Sequence, residues 1–203
     1  MDNQAYLEQI AAKPTKGSSA GGLFSPKMLK IVFVGLAAII LVIALGAMFG
    51  AKGSKGKELA ETLSIRLPNI SQTIRNYNTH IKSPELRAMA ITLQSSLDAT
   101  SRDLAPLLVS EFKHDPKKPT TKVVNTEAEL MDELTNTLTD AKLNGILDRV
   151  YANRLTAEIS DLIYIESDLH SKTSSSAVKD LLDKSSSDLR NLHEDFFNFA
   201  NSY

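Results

Sequence analysis

The 203-residue chain contains no cysteine and no tryptophan. Without cysteine the protein has no disulfide, no thiolate metal site, no cysteine nucleophile and no lipidated cysteine. Aromatic residues make up only 6% of the sequence, which argues against a stacking platform for carbohydrate or single-stranded nucleic acid. These absences exclude several classes of enzyme and binding protein before any motif is considered.

The overall charge is nearly balanced, with a formal net charge of −1. Because there is no global basic excess, we expect no nucleic-acid partner. Residues 1–57 carry seven lysines and two acidic residues, a net of +5, and residues 58–203 carry 16 basic and 22 acidic residues, a net of −6. The chain is therefore a short basic front followed by a longer, mildly acidic body.

The most apolar stretch runs from residue 31 to residue 51, where 21 consecutive residues are uncharged. As a helix this stretch would be about 31 Å long, which matches a bilayer core of roughly 30 Å. We therefore predict a transmembrane helix over residues 28–51, with the lipid bilayer as a partner. The run is longer than the apolar region of a cleaved signal peptide, so we expect an uncleaved signal anchor.

The orientation of this anchor is not decided by the flanking charges, because four basic residues lie within reach on each side. A 30-residue tail before a first apolar helix usually stays inside, and the body is rich in Ser, Thr and Asn. We therefore expect a single-pass protein with a cytoplasmic N-terminus and an extracytoplasmic C-terminal body. The alternative is a body that faces the cytoplasm as a tether or stalk.

Gly46 and Gly50 have the spacing that lets two membrane helices approach closely. We interpret them as a candidate packing face, with a homodimer as the partner it implies. Small residues are also frequent in membrane helices for other reasons, which is the alternative interpretation.

The remaining sequence divides into a flexible basic tail over residues 1–27, a Gly/Lys linker over 52–57 and a helical body over 58–203. Apolar residues of the body recur at alternating spacings of four and three, which is typical of one buried face of a helix. We predict an all-α fold, in which the membrane helix precedes an antiparallel bundle of about four helices with coiled-coil-like heptads. Ser83–Pro84 predicts the start of a helix, with Ser83 as the cap and Pro84 in the first turn. The pattern over 126–172 fits either one helix or two, because Asn144–Gly145 indicates a bend or break, and Ile146 is expected to continue the apolar stripe.

Polar residues interrupt three of these stripes. Arg66 is expected to pair or to extend its charge to solvent. Thr100 and Ser185 form either a polar layer or the wall of a small ligand cavity. Glu166 and His170 lie one helical turn apart, and we expect them to form a solvated surface pair.

No catalytic constellation is apparent in the sequence. The four histidines form no zinc-binding pair, and Glu111-x-x-His114 is a single copy of a spacing that a di-iron bundle needs twice. There is also no glycine-rich phosphate loop and no nucleophile motif. We therefore predict no enzyme, no catalytic residue, no metal and no cofactor.

The body has one contiguous basic patch, formed by Lys113, Lys117, Lys118 and Lys122. The simplest interpretation is a solvated loop between two helices. The alternative is an anion-contacting loop that binds phosphate, lipid or a polyanionic polymer.

Residues 68–80, PNISQTIRNYNTH, resemble the stretch P-N-L-V-x-T-V-K-x-Y-x-x-H of LemA-type proteins. That family has an N-terminal anchor and a helical body, so the resemblance implies an architecture rather than an activity. It covers 13 of the 203 residues, and the later segments depart from the tyrosine- and asparagine-rich helix of the family.

The anchor, the helical stripes and the missing catalytic groups favour a membrane-anchored, non-enzymatic bundle that presents an extracytoplasmic surface to an unknown protein partner. A bundle that binds a small ligand between its helices is the second hypothesis. A cytoplasmic-facing tether is the third.

Overall fold

The computed structural model describes residues 55–202. The predicted tail, the predicted membrane helix with Gly46 and Gly50, and Tyr203 lie outside the described residues. Within residues 55–202 the fold is all-α, with five helices and no strand. No helix in this part of the chain combines the length and apolarity that a membrane crossing requires.

The five helices replace the predicted bundle of about four. Short loops join them, so that successive helices run antiparallel. The helical bundle is established, whereas coiled-coil packing within it stays a prediction. Numbered in chain order, the helices are α1 (55–78), α2 (Pro84–Phe112), α3 (Thr121–Leu143), α4 (Leu147–Lys172) and α5 (Ser176–Asn201).

Helix boundaries differ from the expected ones at two places. The stripe over 126–172 is two helices, and the first of them already begins at Thr121. Residues 55–57, expected in the linker, belong to α1. Gly145 separates α3 from α4 with a φ of 73°, a left-handed conformation that glycine adopts without steric cost.

Side-chain caps start α2 and α5. Ser83 accepts a hydrogen bond from the backbone N–H of Leu86, with Pro84 in the first turn. Ser175 accepts likewise from the N–H of Val178. Such caps satisfy backbone donors that have no partner inside the helix. The Ser83–Pro84 start of a helix is thus confirmed.

The predicted apolar stripes are buried along most of their length. The exceptions within residues 55–202 are four leucine and valine positions that are only partly buried, Leu59, Leu107, Leu130 and Val150, and Ile146, which is 55% exposed. Next to Leu107 and Ile146, the following residues Leu108 and Leu147 are buried. Ile146 was expected to continue a stripe, but α4 starts anew after Gly145. A break in the helix resets the side-chain direction, so the register shifts by one residue.

The first helix is the most enclosed of the five and contacts three others. Ser71 donates a hydrogen bond to Asp98 of α2, Arg66 donates to Glu127 of α3, and Lys55 pairs with Asp168 of α4 at 3.2 Å. Helix α5 packs against α2 and α4. Because α1 turns several faces toward neighbours, it buries polar as well as apolar side chains.

The bundle has two distinct ends. One end, here called the base, contains residue 55 and the loops 113–120 and 173–175. The other end, here called the tip, contains the loops 79–83 and 144–146. Since α1 has 24 residues, the base and the tip lie about 36 Å apart.

Candidate functional site

A buried ion pair joins α1 to α3. The Nε and Nη2 atoms of Arg66 each donate a hydrogen bond of 2.8 Å to one carboxylate oxygen of Glu127, and the two residues are 6% and 2% exposed. Burial opposes the charge on Arg66, but the bonds to Glu127 and the nearby carboxylates outweigh it and raise the pKa of Arg66. Of the two alternatives expected for Arg66, pairing is therefore confirmed, and extension of its charge to solvent is not observed.

Further charged groups of α4 surround this pair. Asp161 lies 3.9 Å from Arg66, and Arg154 lies 3.8 Å from the carboxylate of Glu158. Burial raises the pKa of Glu158, against the pull of Arg66 and Arg154. These groups bind one another, so the cluster connects α1, α3 and α4.

A second polar layer joins α4, α5 and α2. Glu166 has no exposed surface, and its two carboxylate oxygens accept hydrogen bonds of 2.7 Å from Ser185 and Ser186. The hydroxyl of Ser185 also lies 3.2 Å from that of Thr100. Burial raises the pKa of Glu166 to about 7, although the serine hydrogen bonds oppose this shift.

The expected surface pair of Glu166 and His170 is wrong. His170 instead lies 3.5 Å from Asp183, while Glu166 points into the core. The burial of Glu166 could have been predicted from spacing, because the buried stripe of α4 continues through this position. The stripe consists of Ile159, Leu162, Glu166 and Leu169.

Thr100 and Ser185 form the polar layer that was one of their two expected roles. They also line a groove of about 500 Å³ between α2 and α5, whose other walls carry Asp103, Lys184 and Asp188. Because the two hydroxyls bind each other and that of Ser185 also donates to Glu166, the layer is satisfied without a ligand.

The lysine patch lies at the base of the bundle. Lys113, Lys117 and Lys118 are exposed on the loop between α2 and α3. Lys122, in the first turn of α3, donates a 2.8 Å hydrogen bond to Glu58, which raises the pKa of Lys122. The structure thus brings the four predicted residues to one end but gives one of them an internal partner.

Glu111 and His114 diverge rather than converging on one centre. Glu111 accepts hydrogen bonds from Thr173 and from the backbone of Ser174, which lower its pKa. His114 is buried 4.0 Å from Glu61, and burial lowers the pKa of its imidazole. Within residues 55–202 no group of three or more potential ligands is arranged to hold a metal ion.

The tip contains a cleft of about 690 Å³. It lies between the α1–α2 loop, the α3–α4 loop and the first turn of α4. Ile146 is one of its walls, and Leu143, the most exposed large apolar residue at 79%, precedes the same loop. The lining residues are His80, Lys82, Ser83, Lys142, Gly145, Ile146, Leu147, Asp148 and Arg149.

The lining of the cleft contains more positively than negatively charged side chains. The carboxylate of Asp148 accepts hydrogen bonds from the backbone N–H groups of Lys82 and Ser83, at 2.9 and 2.7 Å, and so fastens the α1–α2 loop to α4. Lys82, Lys142 and Arg149 supply three cations, and Lys142 Nζ lies 3.0 Å from His80 Nε2. The cleft thus combines one exposed apolar side chain, Ile146, with a rim of three cations.

The cleft is not apparent in the sequence. Its basic residues are at positions 82, 142 and 149, far apart in the chain, and only the fold gathers them. The one local signal was Asn144–Gly145, which indicated a break in a helix but not what the break exposes.

Comparisons with protein-family models, with curated proteins and with solved structures gave no match. The resemblance of residues 68–80 to LemA-type proteins is therefore not supported by a family match.

The buried pair predicts an asymmetric response to mutation. Glu127→Leu should lower the free energy of unfolding by about 3–5 kcal/mol, because it leaves Arg66 buried without its main partner. The double variant Arg66→Met/Glu127→Leu should recover most of that loss, since it removes both charges. Urea unfolding of the full chain, followed by circular dichroism, measures both.

The matched control is Glu58→Leu, which breaks the exposed pair with Lys122 and should leave stability nearly unchanged. Equal losses in the single and double variants would show that the Arg66–Glu127 pair does not behave as a coupled unit.

The pKa of Glu166 predicts a pH-dependent stability. Between its ordinary pKa of 4.5 and its folded value of about 7, the folded chain keeps a proton that the unfolded chain releases. The contribution of Glu166 to the free energy of unfolding is therefore fully present below pH 4.5. It falls by about 3 kcal/mol as the pH rises to 7, and continues to fall above it. Glu166→Gln should remove this fall and be the more stable protein at pH 8.

The measurement is urea unfolding of wild type and variant between pH 4 and 8, with the difference between them taken at each pH. Other titrating groups, His114 among them, cancel in that difference. Glu133→Gln on exposed surface is the control. Parallel curves for wild type and Glu166→Gln would contradict a carboxyl group held neutral by burial.

Proposed function

We propose that this protein is a non-enzymatic, single-pass membrane protein whose helical bundle presents its tip to a partner protein outside the cytoplasm. The observation that carries the proposal is the tip cleft, where Ile146 is exposed among three cationic side chains. Leu143, three residues earlier in the chain, is exposed at the same end of the bundle. The apolar run of residues 31–51 supports the anchor.

The position of the cleft supports a role in binding something away from the membrane. The predicted span ends at residue 51, and α1 starts by residue 55. The base therefore follows the anchor closely along the chain, whereas the tip lies about 36 Å from the base. That distance favours a soluble partner segment at the tip over the membrane in which the chain is anchored.

The chemistry of the cleft fits a short acidic segment of another protein with at least one large apolar side chain. Fully burying a leucine-sized side chain contributes roughly 1.5–3 kcal/mol, so Leu143 and Ile146 supply binding free energy. Lys82, Lys142 and Arg149 favour carboxylates by complementary charge, which increases association rate and selectivity.

The proposal of a non-enzymatic role is supported by two buried polar clusters within residues 55–202, whose charged groups are already hydrogen-bonded within the protein. Arg66 binds Glu127, and Glu166 binds two serines. General acid–base chemistry instead needs such groups to converge on a site that a substrate can reach.

Photo-crosslinking tests the docking surface. A photoreactive residue in place of Leu143 in native membranes should give a discrete adduct, and mass spectrometry should identify the crosslinked peptide as acidic. Lys142→Glu/Arg149→Glu in the same chain should reduce the adduct about tenfold or more, because charge reversal at an interface disfavours association by more than 1.4 kcal/mol.

The matched control places the photoreactive residue at Tyr164, which is 71% exposed elsewhere on α4 and should give no such adduct. Adducts only to lipid, or only to a second copy of this chain, would assign the tip to those occupants and overturn the proposal.

The orientation is tested with a single cysteine, since the sequence has none of its own. Thr79 lies exposed in the turn after α1, at the tip and away from the predicted anchor. A membrane-impermeant maleimide should label Thr79→Cys in intact cells as strongly as after lysis. Labelling only after lysis would put the body inside and favour the tether.

A further inference from the structure

The lysines of the base carry charge that the fold does not neutralise. Lys113, Lys117 and Lys118 are exposed, and none of them forms an ion pair within residues 55–202. The loop has one acidic residue, Asp115, whose carboxylate accepts a hydrogen bond from the backbone N–H of Lys117 at 3.0 Å. His114, the remaining titratable group of the loop, is buried, and burial lowers the pKa of its imidazole.

The other acidic side chains of the base are engaged elsewhere. Glu58 accepts from Lys122, and Glu61 accepts from the backbone N–H of Thr120 and lies near Lys57. Asp168 pairs with Lys55 and Lys172, and Glu111 binds Thr173 and Ser174. The loop therefore presents uncompensated positive charge to its surroundings.

The loop is also fastened to the start of α1. The Thr120–Glu61 hydrogen bond is 3.1 Å and the Lys122–Glu58 bond is 2.8 Å. The ring of Phe112 lies so close over Gly56 that a Cβ there would meet it at 2.7 Å. These contacts hold the lysines beside residue 55 rather than leaving them on a free segment.

We propose that this loop is a membrane-contacting surface, whose three lysines bind the anionic headgroups of the leaflet from which the anchor emerges. The inference rests on the anchor in the proposed function. Residues 52–54 separate the predicted span from α1, and a chain of that length reaches at most about 14 Å. Headgroup charge acts over about 8–10 Å in salt, so the basic end of the bundle lies within or next to its range.

Attraction of the loop to anionic headgroups would hold the base of the bundle at the membrane surface. Phospholipid headgroups, rather than free phosphate, are the source that this position favours.

A headgroup-quenching experiment on the full chain tests the contact. A fluorophore is attached through Thr120→Cys, an exposed position whose side chain makes no capping bond, and the protein is reconstituted into vesicles that contain a quencher-labelled headgroup. Adding phosphatidylglycerol to phosphatidylcholine vesicles should shift the docking equilibrium at least about fivefold, the factor one lysine supplies at an anionic surface.

The variant Lys113→Glu/Lys117→Glu/Lys118→Glu should abolish that shift, and added salt should reduce it. The control Lys82→Glu/Lys142→Glu/Arg149→Glu makes the same charge change at the tip and should leave the shift intact. A fluorophore at Thr79→Cys, also at the tip, should stay unquenched on both kinds of vesicle.

Failure of the two proposals can be told apart. A chain that does not float with neutral vesicles has no anchor, and both proposals then fall. A chain that floats, but whose Thr120 label responds equally to neutral and anionic vesicles, keeps its anchor and refutes the headgroup contact. Quenching abolished by inorganic phosphate, but not by chloride at equal ionic strength, would assign the loop to a soluble anion and overturn the lipid assignment.

Discussion

The ion pair of Arg66 and Glu127 fixes how the first helix sits in the bundle. Both charges are almost fully removed from water, and a charge in that environment is costly unless its partner is in place. The two parallel hydrogen bonds require the planar groups to face each other, so that sliding or rotating α1 against α3 would leave both groups unsatisfied. Asp161 of α4 lies close to the same guanidinium. One buried cation therefore defines the register among three helices, which uniform apolar packing alone specifies less tightly.

The remaining two helices are tied in by a different kind of polar contact. Glu166 of α4 meets two serines of α5, and one of these meets Thr100 of α2. No arginine or lysine is among its hydrogen-bond partners, and burial raises the pKa of Glu166 to about 7. This layer is thus held by a group that is mostly protonated in mildly acidic solution and increasingly ionised above neutrality. The guanidinium of Arg66, by contrast, stays charged at every physiological pH.

The sequence alone was enough to predict the helical class, the buried stripes and the Ser83–Pro84 helix start, because these depend on local spacing and capping. It was less informative where a break interrupts a pattern: extending one stripe through Gly145 put Ile146 in the core, whereas the structure exposes it. Glu166 was misplaced because acidic residues are seldom buried, although its spacing was that of a core position. The tip cleft could not be predicted, since Lys82, Lys142 and Arg149 meet only in three dimensions. By contrast, the lysines of the base are contiguous in the chain and were visible as a patch.

The two basic surfaces lie at opposite ends of the helical bundle, and we propose different partners for them. Along the chain the base would follow the proposed anchor after three residues. The tip lies about 36 Å from the base, which is several times the Debye length of about 8 Å in physiological salt. The side chains at the two ends also differ. Loop 113–120 at the base carries charged residues and prolines, which suit a diffuse layer of headgroups that has no fixed geometry. The tip adds Leu143 and Ile146, whose apolar surface gains free energy only when a partner of defined shape removes it from water. Charge alone would make the two ends equivalent; the apolar pair and the position of the anchor distinguish them.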